Sequence, residues 1–152
     1  MYRTIVWATD GSEQADDALP FARELAKLTG AKIVTVHAAG RFGAGRAAGE
    51  PILAGEPELE EHIHAQAKAL ADAGFTVDVR IEHGQGVPGT LIARAADDCA
   101  ADVIVVGTRG HGPVVGAVTG SVTQHLLHDA HCPVLAVPPQ LAVGSSVYSG
   151  VT

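Results

Sequence analysis

The chain has 152 residues, of which 47% are hydrophobic, and a formal net charge of −7. That length suits one domain with a single sizeable core, and the hydrophobic content excludes disorder. The acidic balance argues against non-specific nucleic-acid binding, and apolar runs such as "DVIVVG" are too short to span a bilayer.

The N-terminus "MYRTIVWATDG" lacks an apolar stretch followed by a small-residue cleavage site, so the chain reads as soluble and cytoplasmic. The run "RTIVWAT" (3–9) predicts a strand ending at "DGS". From Ser12, a good N-cap, the apolar residues Ala15, Ala18, Leu19, Ala22, Leu25 and Ala26 form a helical stripe that Gly30 is suited to close. Pro20 is a misfit in that stripe and should kink the helix or shift its start. "KIVTVHA" (32–38) predicts a second buried strand. Residues 39–57 are rich in Gly and Pro and have no period, which predicts a mobile loop long enough to act as a lid.

"ELEEHIHAQAKALADAG" then predicts a helix with Leu59, Ile63, Ala67, Leu70 and Ala71 on one face. "FTVDVRIEHG" alternates as a half-buried strand should, and "TLIARAADDCA" puts Leu91, Ile92, Ala95, Ala96 and Cys99 on one helical face. "DVIVVG" (102–107) is the most apolar strand, "SVTQHLLHDA" (121–130) is helical, and "PVLAV" (133–137) is a last strand. The domain is expected over 1–138, with 139–152 a weakly ordered tail. Strict alternation of strand and helix implies an α/β fold, a doubly wound five-stranded parallel sheet with helices on both faces.

Two glycine-rich stretches compete for a role. "GQGVPG" (84–89) fits G-x-G-x-x-G, but that dinucleotide fingerprint wants a carboxylate about 20 residues on, at the end of the next strand. The next strand here ends "VVGTRG", and Pro88-Gly89 reads more simply as a tight turn entering a helix. "VVGTRGHGPVVGAVTGSV" (105–122) is better placed, with five glycines, Gly107 to Gly120 inclusive, linking the end of a buried strand to the start of a helix. In an open doubly wound sheet, ligands bind beyond the carboxyl ends of the strands where the strand order reverses. That reversal should fall between the first and fourth strands, bringing Asp10 beside the Gly107 loop. Backbone N–H groups of Gly120, Ser121 and Val122 would then face an anion, favoured by the helix dipole and joined by the hydroxyls of Ser121 and Thr123. The alternative is a plain turn with Ser121 as an ordinary N-cap. Nothing matches a Walker A loop, so Arg109 or a divalent cation would have to balance phosphate charge.

The spacing Gly107-x2-Gly110-x9-Gly120-Ser121 resembles the G-x2-G-x9-G-[ST] signature of the ATP-binding branch of the universal stress protein family. "DGSEQADDAL", "VIVVGTRGHG" and "HCPVLAVP" match around it, so the resemblance covers about residues 2–138. It implies a Rossmann-like, adenine nucleotide alpha hydrolase-like fold in a single-domain member. By the same resemblance, Ala8, Thr9 and Asp10 lie by the adenosine and phosphates, and Ala38, after the second strand, presents backbone to adenine. Val106, Gly107, Arg109 and Gly110 line the ribose and phosphate path, and Gly120, Ser121, Val122 and Thr123 hold the phosphates. Asp10 is the one carboxylate at the expected crevice. It suits a ribose hydroxyl or a water on Mg²⁺, against the alternative of an Asx-turn before Ser12. The resemblance further implies a homodimer through the last strand, Val134 to Val137. Trp7, in place of an aliphatic residue, and Pro20 depart from the family pattern.

"HLLHDAHC" invites a zinc hypothesis, but His131 has drifted off the face shared by His125 and His128, and solvated or capping histidines fit better. His62 and His64 should face solvent, and Cys99 and Cys132 read as free buried thiols. No nucleophile–base–orienter set is legible, so no catalytic residue is assigned and any ATP hydrolysis should be slow. The leading expectation is an ATP-dependent switch in the stress response. Its rivals are a cyclic AMP sensor or sink, a true ATPase or phosphotransferase, and a dimeric scaffold without nucleotide.

Overall fold

The β-branched runs form strands, and the helical stripes cross between them. The computed structural model describes residues 1–41, 56–108 and 120–139. In chain order the elements are β1 (Thr4–Ala8), α1 (Glu13–Asp16), α2 (Leu19–Thr29), β2 (Lys32–Arg41), α3 (Glu56–Asp72), β3 (Val77–Gln85), α4 (Pro88–Asp98), β4 (Val103–Gly107), α5 (Ser121–Asp129) and β5 (Val134–Val137). Among the described residues the sheet is five-stranded, in the order β3-β2-β1-β4-β5, and every pairing is parallel.

The period of two in each strand divides the core into two layers. Ile5, Trp7, Ile33, Val103 and Val105 face one side, where Ala18, Ala22 and Ala26 of the α1–α2 region and Leu70 of α3 cover them. Val6, Val34, Val36, Ile104 and Val106 face the other, under Ile92, Ala95 and Ala96 of α4 and Leu126 of α5. Burying each large aliphatic side chain contributes about 1.5–3 kcal/mol. Leu126 is fully buried, and Gly89 lets its helix come close. A Cβ at Gly89 would stand 2.5 Å from His125 Cβ and 2.9 Å from the Val122 carbonyl oxygen.

Three elements differ from the sequence expectation. The first helix is two, because Pro20 sits in the first turn of α2, where its missing N–H costs nothing. Ser12 caps the short α1 through Ala15 N–H, and Gly30 closes α2 in the left-handed region at φ 73°. β2 runs on to Arg41 instead of stopping at Ala38, since Ala39, Gly40 and Arg41 pair with His83, Gly84 and Gln85 of β3. The expected loop at 39–57 thus yields residues to β2 and α3, and its remainder, 42–55, lies outside the described residues. Ala71 is exposed, one position past the buried stripe of Ile63, Ala67 and Leu70. The expected tail lies outside the described residues from 140 onward.

At the "GQGVPG" decoy, Gly84 and Gln85 belong to β3, Gly86 turns at φ 138°, and Pro88 opens α4. The glycines serve the turn. Trp7, the family outlier, is fully buried, and its indole N–H donates to the Ala15 carbonyl at 3.1 Å, pinning α1 over β1. Among the described residues no helix is long and apolar enough to cross a membrane.

Candidate functional site

The strand order places the reversal between β1 and β4, as expected. β2 and β3 extend from β1 in one direction, β4 and β5 in the other. Trp7 pairs with Val105, so two more residues along both strands set the Thr9 end of β1 beside Gly107. Ala8, Val106 and Gly107 are buried at the ends of their strands, and Asp10 is half-buried at the rim.

The turn after β1 is held by its own polar groups. Thr9 N–H donates to the Val36 carbonyl at 2.9 Å, Gly11 N–H donates to Thr9 Oγ1 at 3.0 Å, and Ser12 N–H donates to Asp10 Oδ1 at 2.9 Å. Asp10 therefore makes the Asx-turn weighed as its alternative role. Gly11 takes φ 75°, and a Cβ there would overlap the Leu59 side chain, so α3 packs directly on this turn. Gln66 of α3 adds a donation to Asp16 Oδ1 at 2.8 Å.

Across the crevice, α5 begins without a side-chain cap. Gly120, not Ser121, is the N-cap residue, with φ −65° and ψ 159°, and among the described residues no side chain accepts from the first turn. Gln124 N–H already donates to the Gly120 carbonyl, which leaves the N–H groups of Ser121, Val122 and Thr123 as the orphan donors of the helix start. Ser121 is exposed with its hydroxyl at this end. The Thr123 hydroxyl has a different role from the one expected. It is buried and donates to the Gly107 carbonyl at 2.9 Å, fastening α5 to the end of β4, so Thr123 offers the crevice only its backbone. The Gly120 N–H donates to the Thr108 carbonyl, and Thr108 N–H to the Val137 carbonyl. Arg109 and Gly110 lie outside the described residues.

Ala38 is inside β2 rather than after it. Lys32 N–H donates toward β1, to Arg3, and Ile33 N–H donates toward β3, to Thr76. By the alternation of an extended chain, the N–H and C=O of Ala38 also point to the β1 side. β1 has ended by then, so both groups face the crevice.

His37 was not singled out by its sequence, where one histidine in a β-branched run looks like an ordinary core residue. It is buried, with Nδ1 3.0 Å from the Thr9 carbonyl oxygen. A carbonyl oxygen only accepts, so Nδ1 carries the hydrogen.

The other histidine cluster lies elsewhere. His128 Nδ1 is 2.7 Å from Asp129 Oδ1 and His131 Nδ1 is 2.9 Å from Asp97 Oδ2, on a cleft of about 380 Å³ between α4 and α5. His128 and the Thr90 hydroxyl hold the Asp129 carboxyl below the usual range. Among the described residues no three His, Cys, Asp or Glu side chains group as metal ligands. His62 and His64 are exposed. Cys99 and Cys132 are free and half-buried, and burial pushes both thiols up, away from the reactive thiolate.

The model of the universal stress protein family matches residues 1–138. The chain belongs to the universal stress protein family. A universal stress protein of Thermus aquaticus is 36% identical over 146 residues, covering 90% of this chain and 99% of that relative. Among solved structures, the universal stress protein of Archaeoglobus fulgidus in complex with dAMP superposes with a TM-score of 0.65 at 27% identity. That match covers 90% of this chain and 98% of the other. A universal stress protein in complex with cAMP gives 0.63 at 28% identity, covering 91% and 98%. The universal stress protein fold thus holds for this chain, and two similar structures carry adenine nucleotides.

Proposed function

We propose that this universal stress protein binds ATP in the crevice between the ends of β1 and β4 and acts in the cytoplasm as a nucleotide-dependent switch in the stress response. The observation that carries the reading is the uncapped start of α5. Three backbone N–H groups with no partner among the described residues, at the positive end of a helix and at the sheet's reversal point, suit a phosphate chain. Gly120 at the N-cap leaves room for the phosphate to approach.

The base end has a matching logic. The Ala38 N–H complements adenine N1, an acceptor, and its C=O complements the N6 amino group, a donor. Guanine presents the opposite pattern at both atoms. Ala8, Thr9 and Asp10 form the floor between the two ends, with Val106 and Gly107 along the ribose, and the glycine signature assigns Arg109 and Gly110 to the ribose and phosphates. Asp10 would hold a ribose hydroxyl or a water on Mg²⁺, and the cation would balance phosphate charge. The protein works as a homodimer through β5, Val134 to Val137. Among the described residues no nucleophile–base pair is assembled at the crevice, and slow hydrolysis would reset the switch.

Calorimetric titration of nucleotide-stripped protein with ATP and Mg²⁺, then with cyclic AMP and with GTP, tests this. ATP binding tighter than either is the expected result. The solved cAMP complex gives the second reading, a cyclic AMP sensor or sink, and tighter cyclic AMP binding would establish it. Binding of neither adenine nucleotide would refute both.

A further inference from the structure

The ladder between β1 and β2 stops one rung early. Ala8 pairs with Val36, and Thr9 N–H donates to the Val36 carbonyl. In a parallel ladder the next bond runs from Ala38 N–H back to the Thr9 carbonyl. Among the described residues no backbone bond joins those two groups, although β2 continues past Ala38 to Arg41. The His37 imidazole takes the place instead, with Nδ1 3.0 Å from the Thr9 oxygen.

The geometry points to His37 as a positioning residue for the base end of the crevice. Its ring satisfies the Thr9 carbonyl, and that releases the Ala38 N–H to a ligand. The same bond anchors Thr9, whose hydroxyl accepts from Gly11 N–H, directly before Asp10. The trade is physically sound because a buried carbonyl left unsatisfied costs about 1–3 kcal/mol. Without the imidazole, Ala38 N–H is the nearest donor of the ladder and would close on Thr9, removing the donor from the crevice. A side chain that is only 5% exposed and never touches the ligand would thus set how the ligand's base is recognised. This inference rests on the adenine-nucleotide reading above for its ligand, though not for its geometry.

Amide hydrogen exchange at Ala38, measured beside ATP titrations of wild type, His37→Phe and His37→Gln, tests it. In the wild type without nucleotide, Ala38 should exchange as an open amide, and saturating ATP should slow it at least tenfold. His37→Phe should bind ATP at least tenfold more weakly while its Ala38 amide becomes protected without ligand. His37→Gln, which keeps a side-chain N–H, should recover part of the affinity. An Ala38 amide already protected in ligand-free wild type overturns the inference, however the variants fold. So does a folded His37→Phe protein with wild-type affinity. If wild type binds no adenine nucleotide, the proposed function fails, and the ligand-free Ala38 exchange still decides whether His37 replaces the rung.

Discussion

The two ends of the sheet are built from the same strands and behave oppositely. At the amino end of β1 and β4, the N–H groups of Arg3, Thr4, Lys32, Asp102 and Ile104 all find partners within the chain. Asp102 N–H donates to the Thr4 carbonyl, and its carboxylate accepts from Arg3 N–H at 2.7 Å and Thr4 N–H at 2.9 Å. Lys32 N–H reaches Arg3, and Ile104 N–H reaches Pro133. At the carboxyl end, three N–H groups of α5 and the N–H of Ala38 are turned outward. A parallel sheet spends its polar groups at one end on stability and leaves them available at the other for a ligand. Variants at the two ends should therefore separate affinity from stability.

The largest expected effect is at Gly120. Its φ of −65° is open to any residue, and aspartate is among the best N-caps, so Gly120→Asp should fold with stability unchanged or raised by about a few tenths of a kcal/mol. The same carboxylate would occupy the N–H groups meant for phosphate and repel it. ATP affinity should fall about a hundredfold or more, roughly 2.8 kcal/mol, by calorimetry. Loss of fold together with binding would show that the glycine serves the chain and not a ligand.

That contrast between the ends was partly legible in the sequence. The alternation of periods yields the doubly wound sheet, and its strand count puts Asp10 and Gly107 at the reversal point. What escaped the sequence depends on pairing across space. "AGR" after "KIVTVHA" carries no strand signal, yet β3 supplies partners through Gln85 and draws it into β2, which moves Ala38 from a loop to a strand. Ser121 and Thr123 look equivalent in a helix start, but a step of two positions on a helix turns the first outward and the second into the core. His37 was invisible as a functional candidate because its role is defined by a carbonyl 28 residues away.

Thr123→Val should give the next largest effect, on stability. The change keeps the shape and leaves the Gly107 carbonyl without its donor in a buried site, at a cost of about 1–2 kcal/mol in chemical denaturation. Because the bond fixes α5 against β4, affinity should fall with it, by less than for Gly120→Asp. At the closed end, Asp102→Ala should cost about 1 kcal/mol and leave ATP affinity unchanged.

The Asp102 effect should also depend on pH. The Arg3 and Thr4 N–H groups hold the Asp102 carboxyl below its ordinary value, so folding favours its charged form. Its contribution is complete above the unfolded carboxylate value of about 3.9 and is lost as pH falls through the lower folded value. The stability gap between wild type and Asp102→Ala should be constant near neutrality and close in acid. A gap that persists at the lowest pH would mean that the side chain acts through packing rather than charge.

The smallest expected effect is Ser121→Ala. The side chain is exposed and makes no cap bond, so its removal should change stability by less than about 0.5 kcal/mol. A hydroxyl's hydrogen bond to a charged phosphate at an exposed position is worth about 1.5 kcal/mol, the low end for bonds to charged groups, which is about a tenfold loss of ATP affinity. The ratio to Gly120→Asp measures how binding is divided between backbone and side chain at the open end. If Ser121→Ala matched the Gly120→Asp loss, the hydroxyl would be the main phosphate contact, and the uncapped backbone of α5 would no longer explain the site.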